Sequence, residues 1–217
     1  MIKSTMRCQN PITRNELRIP ICIICEGYEE YEYLTRLQKI GARRKDLYSV
    51  DLINAKSNGN LAARYQDRYM SDAYHLVFIF CDTDLTPYVD FKLLQDKINK
   101  FHGNSRAAGK VIVFGNPCTM QIMLLHFGNV KLLSCNKSKN APNIEKWTGI
   151  INYQGHERQR KELFQQVNKK NFAKMLERVK DLPGDSIVKN SSNFYWLMQN
   201  LNSKSTRWVE RLSKALL

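Results

Sequence analysis

Long apolar runs are missing from this chain of 217 residues, which argues against a membrane-spanning helix. The longest such runs, including Leu76–Cys81 and Val111–Phe114, are far shorter than the roughly 20 residues that a bilayer requires. The first 20 residues also lack the apolar stretch of a signal peptide. Without a secretory signal, the six cysteines predict reduced thiols and not disulfides. We therefore expect a cytoplasmic protein with no membrane partner.

Acidic residues are scarce as well, with 20 Asp and Glu against 34 Lys and Arg, so the net charge is +14. The imbalance is concentrated in residues 131–217, which hold 17 basic and 7 acidic residues, a net charge of +10. Such a region attracts polyanions through electrostatic steering and counterion release, and it favours a nucleic acid as partner. A solvated basic surface that only aids solubility would have the same composition. No GxxxxGKS or GxxxxGKT motif is present, which excludes ATP binding through a P-loop.

Short runs rich in Ile and Val alternate with helical patterns in the first 130 residues. Because the predicted strands are apolar throughout and not alternating, they indicate a parallel sheet covered on both faces by helices. The predicted strands are Ile21–Cys25, Tyr48–Ile53, Leu76–Phe80 and Lys110–Phe114. The predicted helices are Glu29–Ile40, a weaker one around Leu61–Tyr69, one opened by Thr86-Pro87, and a further apolar helix after Pro117.

Beyond residue 130 the pattern changes to basic amphipathic helices. Glu157–Lys180 is predicted as one such helix, with two shorter ones at Asn193–Leu201 and Thr206–Leu217. We therefore predict an α/β core over residues 1–130 with a basic helical extension, residues 131–217, packed on it.

Acidic residues follow two of the predicted strands. Glu26 and Gly27 come directly after the first strand, and Asp82 and Asp84 follow the third. In doubly wound sheets the carboxyl ends of the strands form the crevice where function gathers. Residues two apart on an extended chain point to the same side, so Asp82 and Asp84 can converge on one ion.

Three neighbouring carboxylates repel one another, and a hard divalent cation relieves that repulsion. Mg²⁺, or Mn²⁺ in its place, prefers such oxygen ligands and would share the phosphates of a substrate. The competing interpretation is that these acids cap helices or pair with surface cations. Acids after two strands, one of them in an Asp-x-Asp pair, favour the metal site.

At these residues the chain resembles TOPRIM domains, and more closely their RloB-like (AbiLii-like) branch. That branch carries an ICEG strand, an Asp-x-Asp strand and an NPxFExWLLLHF segment. The corresponding segments here are ICEGYEEYEYL at 24–34, FCDTDLT at 80–86 and NPCTMQIMLLHF at 116–127. The resemblance covers roughly residues 19–127 and rests on the order and spacing of the segments as well as on the short strings.

The resemblance implies a TOPRIM-like (Rossmann-like) fold with Asp82 and Asp84 as Mg²⁺ ligands and Glu26 as general acid/base or metal ligand. Possible supporting residues are Gly27, Glu30, Asn116 and His126. TOPRIM proteins include topoisomerases, primases and nucleases, and RloB-like proteins are linked to prokaryotic anti-phage and restriction loci, often beside an ATPase subunit. A metal-dependent nuclease in such a defence system is therefore the expected function.

Two of the positions at which the chain departs from the family segment bear on the expected chemistry. Met120 replaces a Glu and Thr119 replaces an aromatic residue. If the missing Glu completes the active site, catalysis is weakened or lost while the fold survives. A second hypothesis is therefore a catalytically degenerate TOPRIM-like module that binds nucleic acid or docks onto an ATPase subunit. In either case the backbone-binding residues would come from the basic region, namely Arg158, Arg160, Lys161, Lys169 and Lys170.

Other kinds of site are compatible with the same residues. The string FIFCDTDLT also fits HAD-type phosphatases, with Asp82 as nucleophile, Asp84 as acid/base and Gly184-Asp185-Ser186 as a trace of their later acidic motif. That alternative leaves Glu26-Gly27 unexplained. Cys22 and Cys25 have CxxC spacing but point to opposite faces of a strand, which favours core thiols over zinc.

Two single residues also allow more than one interpretation. His126 follows an apolar run, which favours a hydrogen-bonded histidine in the core or lining the crevice over a catalytic one. Tyr28, beside the acidic turn, could stack on a nucleic-acid base.

Overall fold

Four parallel strands organise the part of the chain that the structure describes. The structure is a computed structural model that describes residues 18–56, 60–83 and 89–217. The strands are β1 (Ile19–Cys25), β2 (Tyr48–Asn54), β3 (Leu76–Asp82) and β4 (Ile112–Gly115), in the spatial order β2-β1-β3-β4. All three strand pairs are parallel. The predicted α/β class with a parallel sheet is confirmed, and the topology is consistent with a Rossmann-like fold.

Ten helices accompany these strands in the described residues. They are α1 (Tyr28–Lys39), α2 (Leu61–Met70), α3 (Val89–His102), α4 (Ala108–Val111), α5 (Met120–Leu124), α6 (Lys137–Thr148), α7 (Glu157–Gln165), α8 (Lys169–Lys180), α9 (Phe194–Asn202) and α10 (Arg207–Leu216). None of these helices combines the length and the apolar character needed to span a bilayer.

Helices cover both faces of the sheet, as the continuously apolar strands predict. Phe80 lies on one face, where its ring centroid is 5.3 Å from that of Phe194 in α9. Phe114 of β4 pairs with Cys81, the next residue along β3, so its side chain points to the opposite face. There Phe114 meets Phe91 of α3 at 6.0 Å. The strands are therefore buried on both sides, which explains why they lack polar alternation.

The segment 191–193 closes the open edge of β4 through its side chains. The Asn193 Oδ1 accepts a hydrogen bond from the Phe114 amide at 3.0 Å, and its Nδ2 donates to the Ile112 carbonyl at 2.8 Å. The Ser192 hydroxyl donates to the Phe114 carbonyl at 2.7 Å. Because an unpaired edge strand invites intermolecular pairing, this cover satisfies β4 and ties the C-terminal region to the sheet.

The C-terminal helices share one hydrophobic cluster with the sheet. Trp208 of α10 donates its indole N–H to the Tyr48 hydroxyl at 2.8 Å and stacks near Phe78 of β3. Phe194 of α9 also contacts Tyr33 of α1, with ring centroids 6.0 Å apart. Residues from both sides of position 130 therefore build the same core.

The single helix predicted over Glu157–Lys180 is wrong. The chain forms α7 and α8 instead, interrupted at residues 166–168. Asn168 begins α8 because its side-chain oxygen accepts hydrogen bonds from the amides of Lys170 at 3.0 Å and Asn171 at 3.1 Å. Hydrophobic residues continue at helical spacing across this break, so the periodicity does not reveal it, whereas the capping asparagine is a local signal of a new helix.

Several element boundaries differ from the sequence prediction, and one helix was not predicted. Lys110 belongs to α4, and the fourth strand begins at Ile112. Helix α6 was not predicted, since it contains Pro142 and has little amphipathic character, although Asn136 caps its start by accepting from the Lys139 amide. The start of α3 predicted at Thr86-Pro87 lies outside the described residues, and the helix is described from Val89.

We predict that Phe194→Ala lowers the free energy of unfolding by about 3–5 kcal/mol, because a fully buried ring is lost between the sheet and α1. Urea unfolding followed by circular dichroism measures the change. The exposed Gln199→Ala on the same helix is the control and should change stability by less than about 0.5 kcal/mol. A small effect of Phe194→Ala would show that α9 does not contribute to the sheet core.

Candidate functional site

Glu26 and Asp82 meet at the carboxyl edge of the sheet because their strands are neighbours. The Glu26 amide continues the β1–β3 ladder by donating to the Phe80 carbonyl at 3.0 Å. The Glu26 Oε2 then accepts a hydrogen bond from the Asp82 amide at 2.9 Å. Both side chains are half-buried. Two of the three predicted acids are therefore together, whereas Asp84 lies outside the described residues.

The Asp82 carboxylate is oriented by the segment that follows β4. Its Oδ1 accepts a hydrogen bond from the Thr119 amide at 2.7 Å. A Cβ atom on Gly115 would lie 2.7 Å from the Thr119 Cα, which is closer than side chains tolerate. Glycine at position 115 is therefore needed for Thr119 to approach Asp82. No pattern in the sequence singled out Gly115 for this contribution.

Glu30 supports the same turn from inside α1. Its Oε2 accepts from the Gly27 amide at 2.9 Å, and its Oε1 accepts a short hydrogen bond from the Thr119 hydroxyl. Only 5% of the residue is exposed, and burial raises the pKa of the Glu30 carboxyl. Thr119 therefore donates one hydrogen bond to Glu30 through its hydroxyl and another to Asp82 through its amide. In the sequence it was noted only as a departure from the segment that the chain resembles.

His126 lies in the core, 2% exposed, and connects three helical segments. Its Nε2 is 2.9 Å from the Tyr33 hydroxyl, and its Nδ1 is 3.1 Å from the Asn171 Oδ1. The Asn171 oxygen can only accept, so Nδ1 carries the proton and Nε2 accepts from Tyr33. Burial lowers the pKa of His126 to about 4. The hydrogen-bonded core histidine that the sequence favoured is confirmed.

Asn116 holds the loop before α9 against the end of β4. It precedes Pro117 through a cis peptide bond. Its amide donates to the Ser191 carbonyl at 3.0 Å, and its side-chain Nδ2 donates to the Ser186 carbonyl at 2.6 Å. Its Oδ1 is buried without a hydrogen-bond partner among the described residues. Asn116 therefore fastens this loop to the residue that follows Gly115, the strand partner of Asp82.

A surface cleft of about 310 Å³ opens beside Glu26 and carries charges of both signs. Lys137 forms an ion pair with Glu29, with 2.9 Å between Nζ and Oε1. The lining residues are Glu26, Gly27, Tyr28, Glu29, Glu30, Lys56, Lys137, Gly155 and Arg160. Lys56 and Lys137 were not predicted as site residues, because neither lies in the segment of strongest basic periodicity.

The five predicted nucleic-acid-binding residues are not gathered at this cleft. Arg160 alone lines it, whereas Arg158 and Lys161 border a separate depression on α7. Lys169 and Lys170 are exposed at the start of α8. Their contacts with nucleic acid remain a prediction.

The donor set at the strand ends suits a hard cation. Glu26 and Asp82 offer carboxylate oxygens, the ligands that Mg²⁺ prefers, and backbone amides already fix one oxygen of each. Within residues 18–56, 60–83 and 89–217, no group of three or more His, Cys, Asp or Glu side chains is arranged to hold a metal. Of the predicted ligands, Glu26 and Asp82 are therefore described, and Asp84 lies outside the described residues.

Cys22 and Cys25 are fully buried in β1, where burial raises the pKa of the Cys22 thiol to about 12. A thiol that resists deprotonation is a poor zinc ligand, in agreement with the core role expected from the sequence.

No protein-family model matches the chain, and neither a curated protein nor a solved structure matches it significantly. The functional interpretation therefore rests on the motifs of the sequence and on the geometry of the site.

We predict that acid destabilises the fold through His126. The unfolded side chain has a pKa near 6.5 and the folded one about 4, so about 3 kcal/mol of stability is lost as the pH falls from 6.5 to 4. NMR titration should show one of the four histidines titrating near 4, with its signal absent in His126→Gln. A pKa near 6.5 for His126 would contradict the burial of a neutral imidazole at this position.

We predict the opposite pH dependence for Glu30. Its pKa in the folded protein is raised above 4.5. The contribution of the protonated Glu30 to the free energy of unfolding is therefore full below pH 4.5 and is lost as the pH rises through the folded pKa. Glu30→Gln should therefore gain stability relative to the unmodified protein between these limits, as measured by urea unfolding at several pH values. The exposed Glu162→Gln on α7 should show no comparable trend, and a trend common to both variants would contradict the assignment to Glu30.

Proposed function

We propose that the chain is a metal-dependent nuclease that hydrolyses phosphodiester bonds of DNA or RNA at a TOPRIM-like site. The observation that supports this most directly is the 2.9 Å hydrogen bond between the Glu26 carboxylate and the Asp82 amide. It brings acids from two neighbouring parallel strands together at the carboxyl edge of the sheet, where doubly wound folds bind ligands. The resemblance at 24–34, 80–86 and 116–127 supports the same site and suggests a role in a prokaryotic defence system.

Asp82 and Asp84 would hold Mg²⁺ or Mn²⁺, with Glu26 beside them. When bound, the ion supplies Lewis-acid stabilisation of the phosphoryl transition state. Glu26 would accept the proton of the attacking water as general base. The amides of Asp82 and Thr119 each bind one oxygen of the neighbouring carboxylate, so both acids are held in place before a substrate arrives.

The charge around the acids supports a polyanionic substrate. Lys56 and Lys137 line the adjoining cleft, and the chain as a whole carries a net charge of +14. Positive groups beside an acidic centre let a phosphate backbone approach carboxylates that would otherwise repel it.

A non-catalytic nucleic-acid-binding module, or one that docks onto an ATPase subunit, is the second candidate, and Met120 favours it. Met120 begins α5 with 4% of its surface exposed, so the position of the family glutamate belongs to the apolar core here. Glu26 and Asp82 would then have a structural role, in which each accepts a hydrogen bond from a backbone amide. The phosphatase alternative gains no such support, because Asp185 lies in a turn and accepts from the Ile187 amide.

Cleavage assays separate these candidates. We predict Mg²⁺- or Mn²⁺-dependent cleavage of labelled DNA or RNA that falls by about 10²–10⁴-fold in Glu26→Gln and at least as much in Asp82→Asn. Both substitutions keep the oxygen that accepts the backbone amide, so they remove charge without removing a structural hydrogen bond. Asp96→Asn, an exposed acid in the middle of α3, is the matched control.

Equal cleavage by Asp82→Asn and the unmodified protein would contradict the proposed site. Salt-sensitive binding without cleavage, for single- and double-stranded substrates alike, would favour the non-catalytic module.

A further inference from the structure

Tyr28 exposes an aromatic ring next to the candidate acids. It is the first residue of α1, two positions after Glu26, and 54% of it is exposed. Tyr33, five residues further along α1, is fully buried, so core packing accounts for that tyrosine and not for Tyr28. A large ring left in solvent at the rim of a charged cleft is suited to contact a ligand.

The Arg160 guanidinium lies over the Tyr28 ring. Its guanidinium carbon lies 5.3 Å from the ring centroid. Its Nε and Nη2 donate to the two Glu32 carboxylate oxygens at 3.1 and 2.9 Å, and its Nη1 donates to the Gly155 carbonyl at 2.6 Å. The guanidinium is thus committed to protein acceptors and only 12% exposed. Its position favours the orientation of the ring over a direct grip on phosphate.

Two lysines lie in the same cleft as Tyr28. Lys137 has a 45% exposed side chain, and its partner Glu29 is also held by the Tyr153 hydroxyl at 2.9 Å. Lys56 is exposed and forms no ion pair with a described residue. Its backbone has a φ of 66°, and its amide donates to the Asn54 side chain at 2.7 Å, which defines the turn that presents it.

Provided that the neighbouring acids act on nucleic acid, as proposed, we infer that Tyr28 is a stacking platform for one unpaired base, with Lys56 and Lys137 placed for the adjoining phosphates. A base inside a duplex is stacked on both sides and cannot present a face to Tyr28. The substrate is therefore single-stranded, or unpaired, at the nucleotide beside the acids. Aromatic stacking tolerates any base because each has a π face, so this site selects for strandedness and not for sequence.

Binding of labelled oligonucleotides to the full chain in EDTA tests this inference without cleavage. Fluorescence anisotropy would compare single-stranded DNA, single-stranded RNA and duplex DNA. The unmodified protein should bind a single strand more tightly than the duplex, and Tyr28→Leu should weaken single-strand binding by about 5–150-fold. Tyr28→Trp should retain it. Leucine keeps an apolar side chain without a π face, so it separates stacking from general contact.

Two further readouts distinguish stacking from charge. The fluorescence of 2-aminopurine in a single-stranded oligonucleotide should be quenched when the unmodified protein or Tyr28→Trp binds, but not when Tyr28→Leu binds. Lys137→Gln should make the slope of log affinity against log salt shallower by about 0.7, whereas Tyr28→Leu should leave that slope unchanged.

The outcomes that overturn the inference are separate from those that overturn the nuclease. Single-strand binding that is equally tight in Tyr28→Leu, or duplex binding weakened to the same extent, would refute the stacking platform alone. Failure of the unmodified protein to bind any of the three nucleic acids in EDTA would also refute the platform, whereas the proposed function is refuted only if metal-dependent cleavage is absent as well. The tighter of the two single strands identifies the substrate as DNA or RNA.

Discussion

Thr119 makes the contacts on which the geometry of the candidate site depends. Its amide binds Asp82 at the end of β3, and its hydroxyl binds Glu30 in α1. The approach requires a glycine at position 115, because any Cβ there would meet the Thr119 backbone. One threonine thereby joins the sheet, the first helix and the segment that enters α5. Without it, Glu30 would be a buried carboxyl lacking one of its two hydrogen-bond donors, which is costly in an apolar interior.

The acids around Thr119 differ in how deeply they are buried and in which groups donate hydrogen bonds to them. Glu30 is enclosed, so its raised pKa reflects the cost of keeping a charge there. Glu26 and Asp82 are half-buried, and each accepts a hydrogen bond from a backbone amide. This division supports Glu30 and His126 as parts of the framework and leaves Glu26 and Asp82 as the proposed chemical groups.

Sequence patterns predicted those features that follow from periodicity. The strands around Ile24 and Phe78 are apolar throughout because both sheet faces are covered, and Glu26 and Asp82 meet because parallel strands end at one edge. Features that depend on a single side-chain contact were not predicted. One is the start of α8, which is capped by the Asn168 side chain. Another is the ion pair between Arg160 and Glu32, which are 128 positions apart in the chain. Neither leaves a periodic signal in the chain.

The central proposal is that Asp82 and Asp84 bind a divalent cation beside Glu26. The most direct test is a crystal structure of the protein soaked in Mn²⁺, with anomalous scattering used to locate the ion. The account predicts an anomalous peak within about 2.0–2.5 Å of carboxylate oxygens of Asp82 and its partners. A fully loaded crystal with no peak at these strand ends, or with the ion bound only elsewhere, would contradict it.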